Sequence, residues 1–179
     1  GGFASAKHDN NYGVLTYTVR IKATGCSSCS HGLYFNGTPY PVSSTGRWNK
    51  GYGFYLTNND QYSIWRYDGG VATAIVGWTD YAPISSDWNV LKVTYNKANG
   101  FVQFFINGTR VVYGSFNSYK SGVVGLAFAR DSTASTFYTD YAVLTTNAPK
   151  SEGALSEGFF VDEAAVRGVS VPDGDLGTQ

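Results

Sequence analysis

Trp88, Asn89, Val90, Leu91, Lys92, Val93, Thr94, Tyr95: this alternating run opens the stretch, ending at Leu144, whose reading decides the fold. A turn at Asn99 and Gly100 follows, then a second strand, Phe101 to Ile106, which ends in Asn107, Gly108 and Thr109. Asn-Gly between two alternating runs is a strong hairpin signal, because both central positions need positive φ. Arg110 to Tyr113 therefore folds back on the strand before it. Gly122 to Phe128 is a further run, and Phe137 to Thr145, with Asp140 inside it, is the last.

Outward from this stretch the chain reads the same way. Leu15, Tyr17, Val19 and Ile21 alternate with Thr16, Thr18, Arg20 and Lys22, which predicts a strand with one buried and one wet face. Gly32 to Phe35, Tyr52 to Leu56, Tyr62 to Tyr67 and Val71 to Trp78 are further strand candidates. Between them lie Asn36 to Thr45 with its two prolines, the turns Asn58 to Asp60 and Asp68 to Gly70, and Tyr81 to Asp87 with Pro83. The order of strands from Trp88 to Leu144 resembles the closing half of a laminin-G-like, concanavalin A-like jelly roll, closely over that stretch and loosely over most of residues 12 to 146. The expected fold is all-β: an antiparallel two-sheet β-sandwich. Twenty-two Gly, 14 Tyr, 11 Phe and only 15% charged residues suit it, since aromatic side chains fill pleated faces and glycines make turns. A single domain of this size buries roughly 70% of its unfolded surface, so it needs no metal or disulfide to stand.

Thirteen basic and 13 acidic residues cancel, so no overall field attracts nucleic acid or an anionic membrane, and neither is expected as a partner. No apolar run approaches the roughly 18 residues that would span a bilayer. The chain has no Met, as a processed or excised chain would, and together with its cysteine usage and fold this leads to the expectation of a secreted or cell-surface protein, one domain among others of a larger bacterial surface protein. The charge is unevenly divided. Residues 1–146, the expected sandwich, carry +4, and the Gly- and Ser-rich tail, 147–179, carries −4. Because residues before Tyr12 offer only Phe3 as a large apolar group, no strand is expected there, and one apolar piece of the tail, from Phe159, Phe160 and Val161 or from Val166, Val169 and Val171, is expected to cover the sandwich edge or an open groove; a linker to another domain is the alternative.

Cys26 and Cys29 form a CxxC, followed by His31. Zinc needs four ligands and no second pair exists, and the βαβ surroundings of a redox pair are missing. A local disulfide closing the turn is preferred over metal or free thiols. Catalytic patterns are sparse. Glu152, Glu157 and Glu163 all lie in the tail, no strand carries alternating carboxylates of the kind glucanases of this fold class use, and His8 and His31 sit in no recognisable triad order. No catalytic residue is assigned.

Sugar binding needs aromatic faces together with planar polar groups. With Leu91, Val93 and Tyr95 inward, and Val102, Phe104 and Ile106 likewise, Lys92, Gln103 and Phe105 share the opposite face. Arg20 and Lys22 join it if their strand lies in the same sheet, with Gly125, Ala127 and Ala129 as a low floor. Of the four tryptophans, Trp48 and Trp78 are candidate loop-borne stacking residues, Trp65 is able to face either surface, and Trp88 is expected in the core. The resemblance also implies one structural calcium, with Asp140 in the closing strand as its carboxylate, but no other cofactor. Asn36 and Asn107 each begin an N-x-T sequon that turn chemistry explains equally well. The expected function is a non-catalytic carbohydrate-binding module with a glycan partner; an adhesion or assembly domain and a glycoside hydrolase or lyase with an unrecognised site are the alternatives.

Overall fold

The computed structural model describes residues 2–8, 14–130 and 134–146, with the backbone alone for 2–8 and Arg130. Eleven strands are present among them: β1 (Gly2–His8), β2 (Val14–Thr24), β3 (Ser30–Thr38), β4 (Lys50–Thr57), β5 (Gln61–Asp68), β6 (Val71–Asp80), β7 (Asn89–Asn96), β8 (Phe101–Ile106), β9 (Thr109–Ser115), β10 (Val123–Arg130) and β11 (Thr136–Thr146). They form a six-stranded sheet in the order β1-β10-β3-β4-β5-β6 and a five-stranded sheet in the order β11-β2-β7-β8-β9. Every pairing is antiparallel. The fold is the concanavalin A-like jelly-roll sandwich.

Alternation builds the core. Leu15, Val19 and Ile21 from β2, Leu91 and Val93 from β7, and Val102, Phe104 and Ile106 from β8 are buried on the inner face of the five-stranded sheet. Leu33 and Phe35 of β3, Phe54 and Leu56 of β4 and Ile64 of β5 meet them from the six-stranded sheet. Phe104 packs edge-on against both Phe35 and Phe54, at 5.7 and 5.1 Å between ring centroids. Edge-to-face pairs add stability beyond the area they bury.

β3 and β4 depart from simple alternation, because they are buried on both faces. Their outer tyrosines, Tyr34 of β3 and Tyr55 of β4, build a second aromatic layer with Trp48 of the loop between them and Tyr67 of β5, together with Ala127 of β10. Two glycines make room for it. A Cβ on Gly53 would fall 2.4 Å from the Tyr55 ring, and one on Gly37 would fall 2.3 Å from the Trp48 ring.

Several sequence expectations need correction. A strand does precede Tyr12: β1 pairs along its whole length with β10, from Gly2 opposite Arg130 to His8 opposite Val124. Backbone ladder bonds need no apolar side chains, which is why the segment carried so little signal. Residues 147–179 lie outside the described residues. Trp88 is half-exposed and not in the core; it precedes β7 and lies on the outer surface beneath the Arg20 guanidinium, 4.9 Å from the ring centroid. The low floor of Gly125, Ala127 and Ala129 belongs to the six-stranded sheet, on the other side of the sandwich from Lys92 and Gln103.

The CxxC is a disulfide, Cys26–Cys29, with Cα atoms 5.5 Å apart. It closes the turn between β2 and β3, and Asn58 steadies that turn by donating to the carbonyls of Ala23 and Cys26 at 3.0 Å each. Both sequon asparagines have structural work. Asn36 is buried with φ of 47° and donates to the Tyr119 carbonyl at 3.2 Å. Asn107 heads the β8–β9 turn with φ of 49°.

Candidate functional site

The residues singled out from the sequence divide between the two outer surfaces. Trp48, Trp65 and Trp78 belong to the six-stranded sheet's side. Arg20, Lys92, Gln103 and Phe105 share the outer face of the five-stranded sheet, and β2 does lie in that sheet, so Arg20 and Lys22 join them.

On the six-stranded side an open pocket of about 220 Å³ is lined by Ser30, Arg47, Tyr55, Trp65, Tyr67, Ala72 and Trp78. Its geometry follows from register. Gly53 lies opposite both Tyr34 and Trp65, and Ala72 and Ala74 lie opposite Tyr67 and Trp65, so each large ring has a small neighbour across the ladder. The Trp65 indole is fixed by donating from Nε1 to Ser63 Oγ at 2.8 Å. Trp78, near the end of edge strand β6, is 43% exposed and forms an outer wall. Trp48 plays a different part from the one expected. It is fully buried, stacked on Tyr34 at 4.4 Å and 10° between planes, and so braces the tyrosines from behind without offering a face to solvent.

The tyrosines carry the pocket's polar character. Tyr55 and Tyr67 hydroxyls bond to each other at 2.9 Å. Tyr34 stands edge-on to both rings, at 5.9 and 5.4 Å, with its hydroxyl buried and without a hydrogen bond of good geometry. Burial pushes all three phenols above their ordinary value, so they stay protonated and able to donate; for Tyr34 and Tyr67 the nearby Arg47 charge works weakly the other way. Among the described residues no carboxylate lines the pocket. The chemistry of these described lining residues is aromatic faces, hydroxyls and one guanidinium, groups of the kind that can stack on and hydrogen-bond a polyol.

Sequence reasoning found Trp65 and Trp78 but missed Ser30, Arg47, Tyr55 and Tyr67. A signal was present: Tyr52, Phe54 and Leu56 interleave with Gly53 and Tyr55, and Ser63, Trp65 and Tyr67 interleave with Ile64, a double-sided pattern that places large rings outside as well as inside.

The opposite surface is paved with cations over rings. The Arg20 and Lys22 side chains lie over Trp88, Lys92 Nζ stands 4.0 Å above the Phe105 ring and the Arg110 guanidinium 4.7 Å from the Tyr113 ring. Gln103 bonds Thr94 Oγ1 through Nε2 at 3.4 Å and accepts from Arg110 at 3.0 Å. Arg20 also pairs with Asp140, and Lys22 with Asp87. Lys22 holds the Asp87 carboxyl below its usual value, first through its hydrogen bond.

Asp140 does not fit the calcium role. It is the extra residue of a bulge, where β11 shifts register between Thr139 and Tyr141, and the bulge turns its carboxylate onto Arg20. Calcium takes six to eight oxygens, and among the described residues no group of three His, Cys, Asp or Glu side chains stands together.

No protein-family model and no curated protein matches this chain in sequence. Solved structures match it in shape. A carbohydrate-binding module, CBM66, from Bacillus subtilis superposes with a TM-score of 0.58 at 16% identity, over 76% of this chain and 78% of that one. The carbohydrate recognition domain of Emp46p in its potassium-bound form gives 0.58 at 14% identity, over 79% and 77%. A prokaryotic beta-1,3-1,4-glucanase (lichenase) derived from a mouse hindgut metagenome gives 0.52 at 12% identity, over 70% and 57%. At such identities the likeness is one of fold.

Proposed function

We propose that the protein binds carbohydrate without cleaving it, and that the pocket between Trp65, Trp78 and the Tyr55–Tyr67 hydroxyl pair is where the sugar sits. The lining carries the reading: exposed indole for the C–H face of a pyranose, donors for its hydroxyls and, among the described residues, no carboxylate. The fold is shared with a carbohydrate-binding module and a carbohydrate recognition domain. The pocket is smaller than the roughly 300–1,000 Å³ that encloses a drug-sized ligand, so it takes a sugar ring at a time and not a long stretch of polymer. A disulfide near the start of β3 agrees with a secreted or surface-displayed module.

The test is a glycan array followed by calorimetry on the best neutral hit. Trp78→Ala lowers affinity about 5- to 30-fold, equivalent to losing roughly 1–2 kcal/mol of stacking, and leaves the melting temperature nearly unchanged because the ring is partly in solvent. Undiminished binding by Trp78→Ala and Trp65→Ala together sinks the assignment of this pocket.

A further inference from the structure

The outer face of the five-stranded sheet has no part in the pocket, and we propose that it is a second binding surface, whose ligand is an anionic polysaccharide. Four cations stand on it: Arg20, Lys22, Lys92 and Arg110. Among the described residues, the carboxylates that meet them are Asp140 and Asp87, taken by Arg20 and Lys22 at one end. Lys92 and Arg110 have no carboxylate partner among the described residues. Each is instead held above a ring, Phe105 and Tyr113, which fixes the charge in place without neutralising it.

Register sets their spacing. Lys92 lies opposite Phe105, and Phe105 opposite Arg110, so the two free charges share one cross-strand row two strands apart, about 10 Å. The next row runs Thr16, Thr94, Gln103, Tyr113, hydroxyls and an amide ending in a ring that is 64% exposed. Charges this sparse, set among hydroxyl-bonding groups and a stacking ring on an open sheet, match a sugar polymer with intermittent carboxylate or sulfate groups. They do not match the dense phosphates of a nucleic acid, one charge per about 1.7 Å of duplex. An acidic peptide would use the cations and leave the hydroxyl row and the ring unused.

The surface does not depend on the pocket, and one experiment separates the two. Affinity electrophoresis of the full chain is run in gels containing alginate, dextran sulfate or uncharged dextran, with soluble polyglutamate and duplex DNA as competitors. Retardation is expected in alginate or dextran sulfate and not in dextran, declining as salt is raised. Whether carboxylate or sulfate retards more identifies the group recognised. Lys92→Gln with Arg110→Gln weakens retardation about tenfold or more, as the loss of two charge-assisted contacts requires, with unchanged melting temperature, while Trp78→Ala leaves it intact. The proposal is overturned by mobility equal in all gels, by retardation that survives the double substitution, or by displacement with polyglutamate or DNA at charge concentrations equal to the polysaccharide's. Loss of retardation by Trp78→Ala alone overturns it too, since the anion would then sit in the pocket.

Discussion

Burial decides the state of His31. The ring is enclosed beside Phe128, Phe137 and the Cys26–Cys29 turn, and neither nitrogen has a hydrogen-bond partner of good geometry. Desolvation lowers its pKa from 6.5 to about 4, the neighbouring Cys29 backbone offsetting a part of that. The folded protein thus holds a neutral imidazole where the unfolded chain protonates at pH 6.5. Stability from this residue is complete above pH 6.5 and is lost as pH falls toward 4, amounting to about 3 kcal/mol over the window. Guanidinium melts at pH 7.5 and 4.5 measure the loss, and His31→Leu is expected to remove most of it. An undiminished pH slope in that variant would assign the acid sensitivity elsewhere. The same enclosure explains why a CxxC followed by a histidine forms no metal site here: the thiols are joined, and the imidazole points into hydrocarbon.

Among the elements, the β8–β9 hairpin was the most legible in the sequence, because Asn107-Gly108 is read through a steric requirement and both residues take positive φ, 49° and 85°. Asn107 does more than turn. Its Oδ1 accepts from the Val90 amide at 2.8 Å, and its Nδ2 donates to Asn89 and to the Pro83 carbonyl, tying the hairpin to the loop before β7. Asn107→Ala therefore loses these contacts and the residue's tolerance of positive φ, for about 2–3 kcal/mol, or a fall in melting temperature of roughly 5–10 °C. Asn107→Gly, which keeps the φ, falls less. Equal melting temperatures for the two variants would show that backbone conformation contributes nothing there. The faces of β2, β7 and β8 were legible too, since a period of two fixes which side chains lie together, and Arg20, Lys92, Gln103 and Phe105 do share a surface. Partners were not legible. Periodicity is silent on which sheet a strand joins, so it does not separate β10 from the face of Lys92 and Gln103, and it carries no sign of β1, whose pairing is made by backbone. The pocket was half legible: Trp65 and Trp78 were named, while Arg47 and Tyr55 reach it across strands that only register brings together.

At the scale of the whole molecule, the two proposed binding surfaces lie on opposite sides of one sandwich and share the core of Phe35, Phe54 and Phe104 between them. The strand order also carries a kinetic consequence. β10 sits between β1 and β3, and β11 beside β2, so residues late in the chain complete ladders begun at its start: Leu126 lies opposite Leu33, and Asp140 reaches Arg20 across 120 residues of sequence. Contacts so distant along the chain require large loops to close before any burial rewards them, which places folding in the slow range for sandwiches, milliseconds to seconds or beyond. Neither sheet has a self-sufficient half. A fragment ending at Gly122 is expected to show no cooperative melt by circular dichroism, and stopped-flow refolding of the full chain is expected to form both sheets in one concerted phase. A melting fragment would mean that an autonomous unit exists. During synthesis the inner faces of β2 and β3 therefore wait, apolar and unpaired on one side, until the last strands emerge, and that interval is when this protein most needs protection from its neighbours.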